Sequence, residues 1–243
     1  IYENNLLLGK SNNYLAPLAS KVFLAYKDVE GIKTKYKSKI VTIGNIIREE
    51  ILNFNNEKKY FSGELNILVL GGSQAAESFG EFLPKIFEQC TNANIKIKIF
   101  QQCSKSQNDK LKDYYQNLKI NYELFNFTNN ILEYFSKVEL VITRSGSSIT
   151  AELINCKIPF ISIPYPYSAD SHQEKNAVYF EKKGYSFFIK EDQVYEKLFP
   201  LIKLIYKDKE ILNNLVENQK KHSDKNVFIK INKEVENLIN EQD

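Results

Sequence analysis

A chain of 243 residues with 43% hydrophobic and 26% charged side chains is long enough for one large or two small domains with real cores, and its composition is that of soluble globular proteins. The formal net charge is only +3 and the lysines are dispersed, so no basic face for nucleic acid is expected. No run approaches the roughly 20 uninterrupted apolar residues of a membrane span. Three widely separated cysteines, Cys90, Cys103 and Cys156, argue against zinc and disulfide frameworks and for a reducing compartment.

In chain order, "GKSNNYLAPLAS" (9–20) reads as a helix, "KVFLAY" (21–26) and "KIVTIG" (39–44) as strands, and "IIREEILNF" (46–54) as a helix. Two strands and a helix do not make a self-sufficient sheet domain. This piece is expected to be the end of a first domain whose beginning is absent, as the opening Ile1 and the lack of any methionine also suggest. From Asn66 the runs "NILVL", "IKIKIF", "INYELF", "VELVIT", "IPFISIP" and "YSFFIK" alternate with amphipathic stretches such as "AAESFGEFLPKIFEQC" and "EKNAVYFEKKG". Strands alternating with helices predict an α/β fold, a doubly wound parallel sheet covered on both faces. After Glu191 the pattern is mostly helical to the end.

Ligands of such sheets bind at the carboxyl ends of the strands, where two glycine-bearing turns fall, "LGGSQAAE" (70–77) and "TRSGSSITAEL" (143–153). Gly72 and Gly146 allow the backbone to approach a ligand. Ser73, Ser147, Ser148 and Thr150 offer hydroxyls beside the free N–H groups of a helix start, a cradle for phosphate. The competing reading is an ordinary helix cap, where Ser and Thr are favoured anyway. Glu152 suits a ribose diol or simply complements the helix dipole. In "PYPYSADSHQEKNA", Gln173 and Asn176 have the donors and acceptors that sugar hydroxyls need, or cap the helix that follows.

Arginine occurs only at Arg48 and Arg144, both next to candidate ligand loops, and its bidentate geometry suits phosphate. There is no D-x-D pair for a metal-held nucleotide diphosphate and no H-E-x-x-H or His/Cys cluster, so no metal and no cofactor are expected. A G-x-S-x-G elbow is missing, which removes a serine hydrolase. His172 could serve as a general base, with more weight on a binding or structural role, and His222 among lysines is expected to be solvated.

With those residues in hand the chain resembles the MurG family, glycosyltransferases that add N-acetylglucosamine to lipid I. "YENNLLLGKSNN" is similar to its H-E-Q-N-x-x-x-G-x-x-N segment, "IGNIIREEIL" to its G-N-P-V-R segment and "LGGSQAAE" to its G-G-S-Q-G-A turn. "TRSGSSITAEL" with "IPYPYSADSHQEKNA" resembles its donor-sugar signature. The resemblance implies a GT-B fold: residues 1–46 as the C-terminal part of an N-terminal lobe, 47–206 as a donor-binding Rossmann-like lobe, and 207–243 as helices packing back across the N-terminal lobe.

It also implies roles. Asn5 would touch the donor sugar, Arg48 and Ser73 the diphosphate, Thr128 uracil through its backbone, Ser147, Ser148, Ile149, Thr150, Ala151 and Glu152 phosphate and ribose, and Gln173 the sugar hydroxyls. Implied partners are UDP-N-acetylglucosamine, an undecaprenyl-pyrophosphoryl acceptor and the cytoplasmic face of the bacterial inner membrane, bound peripherally. Tyr2 stands where the pattern has His, Asn4 for Gln, Ile46 for Pro and Ala75 for Gly. Ala75 is benign in a helix, whereas Ile46 is expected to loosen the interdomain corner. The family's G-G-T-G-G-H loop, with its proposed catalytic base, has no counterpart, so no catalytic residue is assigned. A related transferase with another lipid or polysaccharide acceptor, or a non-catalytic UDP-sugar-binding subunit needing a partner lobe, are the alternatives.

Overall fold

The computed structural model describes residues 1–55 and 63–240, with the side chains of 73–76 outside the description. The first part is a small parallel sheet of β1 (Tyr2–Glu3), β2 (Val22–Leu24) and β3 (Ile40–Thr42), in that order. Helix α1 (Lys10–Leu15) follows β1, and the four-residue α2 (Glu49–Leu52) follows β3. The strand at Tyr2 was not foreseen, because two residues carry no readable alternation.

The second sheet contains β4 (Leu65–Leu70), β5 (Ile97–Gln102), β6 (Asn121–Phe125), β7 (Leu140–Thr143), β8 (Phe160–Ser162) and β9 (Ser186–Phe188). Every pairing is parallel, and the spatial order is β6-β5-β4-β7-β8-β9. The order reverses between β4 and β7, the point where a doubly wound sheet opens a crevice at its carboxyl edge.

Alternate side chains of the central strands enter opposite cores, which is why β4 and β7 are largely apolar, while edge strand β6 carries Asn121 and Glu123. Ile67, Val69, Ile97, Ile99, Leu140 and Ile142 pack with α3 (Gly72–Asn92), α4 (Asn108–Asn117) and α8 (Val194–Lys207) through Phe79, Phe87, Tyr115, Leu198 and Ile202. Leu68, Leu70, Phe100, Val141 and Phe160 face α5 (Ile131–Phe135), α6 (Ser147–Asn155) and α7 (His172–Lys182) through Phe135, Leu153, Ile154 and Phe180. Each fully buried Phe or Leu stabilises the fold by about 1.5–3 kcal/mol. The second core also takes in Leu6, Tyr26, Ile47 and Ile51, so it runs unbroken from the first sheet to the second.

Helix α9 (Glu210–Lys220) stays with the second sheet: buried Gln219 donates to Ile158 O at 3.0 Å and Tyr185 O at 2.8 Å. Helix α10 (Val227–Asn240) reaches the first sheet, where Lys230 Nζ donates to Ile43 O at 3.2 Å and Glu234 pairs with Lys21 at 3.4 Å.

Between α9 and α10 lies buried Asp224. It accepts from Asn45 N at 2.9 Å, Asn45 Nδ2 at 3.3 Å and Asn155 Nδ2 at 2.7 Å, and lies 2.8 Å from His222 Nε2. Burial alone would raise the pKa of this carboxyl, but the bonds from His222, Asn45 and Asn155 outweigh it and hold it below the usual carboxylate range. His222 is therefore a partner in a buried junction, not the solvated side chain its lysine-rich surroundings suggested.

Candidate functional site

A cleft of about 460 Å³ opens over the carboxyl ends of β4 to β8, at the reversal of strand order. Register brings its two glycine-bearing turns side by side: Leu70 pairs with Thr143, whose hydroxyl donates to Leu70 O at 3.1 Å. Gly71 and Gly72 lead into α3, and Gly146 into α6. No side chain caps α6, and its first residue Ser147 is half buried beside exposed Ser148. Gly72 has φ +69°, a conformation glycine adopts freely.

Gly146 has φ −65°, and a Cβ built there would meet nothing closer than Ile149 Cγ2 at 3.9 Å. The protein's own packing does not require glycine at 146. The reason has to be sought in the cleft, where Gly146 and Ile149 form the wall.

Glu152, one turn along α6 from Ile149, continues this wall and meets Arg48, with Arg48 Nη2 3.2 Å from Glu152 Oε1 and Arg48 Nη1 2.7 Å from Glu50 Oε1. Glu152 is largely buried, and that burial raises its pKa; Arg48 pulls it back only in part. An arginine and a carboxylate held against each other at a cleft mouth can each turn to a ligand group of opposite character. Such a half-exposed pair costs only about 0–1 kcal/mol to exchange.

The far wall comes from β5, β6 and the loop after β6: Gln102, Phe125, Phe127, Thr128 and Ile131. Thr128 Oγ1 accepts from Asn130 N at 3.0 Å, which holds the loop in a tight turn. Phe127 is 75% exposed, a flat apolar face on the cleft rim. Sequence reasoning passed over Phe127; the signal available was an aromatic in the polar loop "NFTNN" beyond a strand end. Gln173 closes the cleft beside Tyr165, its Oε1 accepting from Tyr165 N at 2.9 Å, which leaves its NH2 end as a donor.

A description named "Glycosyltransferase family 28 C-terminal domain" matches residues 66–233. A Pelagibacter ubique protein, named UDP-N-acetylglucosamine--N-acetylmuramyl-(pentapeptide) pyrophosphoryl-undecaprenol N-acetylglucosamine transferase, is 31% identical over 99% of this chain and 67% of its own length. The chain belongs to the MurG family.

A Rickettsia felis protein of the same name is 38% identical over 73% of this MurG-family chain and 52% of its own length. The crystal structure of Acinetobacter baumannii MurG superposes with a TM-score of 0.77 at 22% identity, covering 95% of this chain and 65% of that one. The fold is thus the GT-B type. The chain spans between about half and two thirds of the length of these relatives.

Of the other expected site residues of this MurG-family chain, Thr150, Ala151, Asn5 and Asn176 do not line the cleft. Thr150 is buried and its hydroxyl donates to Gly146 O at 2.8 Å, so its side chain is occupied within the helix. Ala151 packs into the core beneath. Asn5 accepts from Asn176 Nδ2 at 3.2 Å and donates to Glu3 Oε1 at 3.1 Å. Fully buried Asn176 accepts from Leu6 N and donates to Ser145 O, both at 3.2 Å, and so ties the first sheet's leading segment to the turn before α6.

Arg144 is also buried: its guanidinium donates to Ile163 O and Pro164 O, pairs with Glu191 and lies 4.4 Å from the Phe79 ring centre. It braces the cleft floor, leaving Arg48 as the arginine at the mouth. His172 Nδ1 lies 2.6 Å from Ala169 O, and the residue is half-buried. The Ser73 side chain lies outside the described residues.

Proposed function

We propose that this cleft binds the uridine diphosphate of UDP-N-acetylglucosamine, and that the whole protein transfers N-acetylglucosamine to the 4-hydroxyl of the N-acetylmuramyl unit of an undecaprenyl-pyrophosphoryl acceptor. The observation that carries the reading is the Arg48–Glu152 pair lining one cleft with the Gly146 turn. Uracil lies against Phe127 and meets the backbone of Thr128. Glu152 accepts from both ribose hydroxyls, and Arg48 swings to the diphosphate. Ser147, Ser148 and Ile149 present backbone N–H groups at the positive end of α6, joined by the start of α3 with Ser73. Gln173 donates to the sugar, with Asn5, Thr150, Ala151 and Asn176 holding the frame around it.

In the transfer the acceptor oxygen attacks the anomeric carbon from the face opposite UDP, so configuration inverts. Negative charge then grows on the β-phosphate. The two helix starts, fixed by the fold, and Arg48, turned to the diphosphate when the donor binds, stabilise it, and the neutralisation requires no metal. No residue of this chain is assigned as the base that takes the acceptor proton. Residues 1–46 are read as part of the acceptor-side lobe, and a lipid-linked acceptor places the reaction at the cytoplasmic membrane face. Among the described residues no helix is long and apolar enough to cross a membrane.

Isothermal titration with UDP-N-acetylglucosamine tests the reading. Glu152→Ala is expected to weaken binding at least about tenfold, the loss of two hydrogen bonds to a charged acceptor. Binding indifferent to that change, in a folded sample, overturns it.

A further inference from the structure

The corner that carries Arg48 into the cleft holds two departures from the family pattern that meet in space. Tyr2 Oη donates to Gly44 O at 3.3 Å and accepts from Ile46 N at 3.2 Å. Asn45, between those two residues, is held by Asp224 through its N–H and its side chain. Gly44 has φ +108°, and a Cβ there would lie 2.5 Å from Asp224 Oδ1. Three successive residues are thereby fixed, two by the hydroxyl and one by the carboxylate. Ile47 and Ile51 are buried in the core, and Arg48 follows the corner between them in the sequence.

A proline at 46 would have a fixed φ and no N–H to satisfy. Isoleucine lacks the first property and brings the second need. A hydroxyl at position 2 answers both, because it accepts from the N–H and restrains the turn. With proline at 46 that acceptor would have no donor. The two departures, Tyr2 and Ile46, are therefore complementary, and the corner is not loosened as the loss of proline alone suggested. We infer that Tyr2 is a positioning residue, whose hydroxyl stands in for the proline ring in setting where Arg48 meets the donor diphosphate.

The inference rests on the reading that Arg48 touches the diphosphate, and one set of titrations separates the two. UDP and uridine are titrated calorimetrically into the wild-type chain, Arg48→Ala, Tyr2→Phe and Tyr2→Phe with Ile46→Pro, with thermal melts establishing that each is folded. Tyr2→Phe is expected to weaken UDP about three- to tenfold, the scale of one lost hydrogen bond, while uridine is unaffected. Adding Ile46→Pro restores UDP affinity to within about twofold, since proline brings its own restraint. If Arg48→Ala weakens UDP and Tyr2→Phe does not, the inference falls and the diphosphate reading stands. If Arg48→Ala leaves UDP unchanged, both fall. Equal weakening of uridine, or no rescue by proline, also overturns the positioning role.

Discussion

Glu152 combines burial with a duty that requires its charge. Its raised pKa means that the folded chain holds this proton more tightly than the unfolded chain does, so its contribution to stability falls as pH rises through the folded value. Ligand binding runs the other way. A carboxylate must accept from the ribose, so UDP affinity should fall as pH drops, beginning above the range of an ordinary glutamate near about 4.3. Titrations across the acid range check this, and Glu152→Gln should flatten the profile. Gly146→Ala separates cap from cradle: with its nearest contact at 3.9 Å the change should move stability by no more than about 1 kcal/mol in denaturant melts. UDP binding should still weaken, because the added methyl occupies the ligand's path. At this scale the sequence was readable in part. Glu152, Arg48 and Gln173, singled out in the sequence, line one cleft. The Thr150 hydroxyl and the Arg144 guanidinium were not readable, because whether a polar group faces a ligand or a backbone carbonyl depends on helix phase and on strands distant in sequence.

Among the elements, β7, its turn and α6 form the unit on which the cleft depends, and Asn176 of α7 holds that unit in place. Truncation by Asn176→Ala leaves Leu6 N–H and Ser145 O without this partner inside the core. The expected loss is about 1–3 kcal/mol in chemical denaturation, with a weaker grip on UDP as the turn relaxes. By type and spacing Asn176 reads as a sugar contact or a cap; its partners from chain positions 6 and 145 lie outside any local pattern. The central strands of the large sheet were legible because strands covered on both faces are largely apolar, and the edge strand β6 by its alternation of Tyr122 and Leu124 with Asn121 and Glu123. The short elements were harder. "IIREEILNF" yields only four helical residues, since Ile46 and Ile47 are spent on the corner and the core before the helix begins.

For the molecule as a whole, Asp224 is the junction between the two sheets. Its lowered pKa means that the stability it contributes is present above the unfolded value and lost as pH falls through the folded one. Asp224→Asn should therefore reduce stability by about 3 kcal/mol near neutral pH and remove part of the acid-induced drop, as followed by melting temperature against pH. The doubly wound architecture was visible in the alternation of strand and helix, whereas this junction was not: "KKHSDKN" reads as a solvated tail until Gly44, Asn45 and Asn155 are brought around it.

Helix α10 and Asp224 also impose an order in time. The corner at Asn45 waits for a carboxylate 179 residues further along the chain. A ribosome adding about 5–20 residues per second needs on the order of 10–40 s to deliver it. Through that interval the first sheet has neither its junction nor its covering helix, while the large sheet, built from neighbouring strands, can already collapse. Nascent chains halted before residue 224 should therefore show protease-resistant second sheets and cleavable leading segments, and the earliest-made residues of the described chain are among the last to settle.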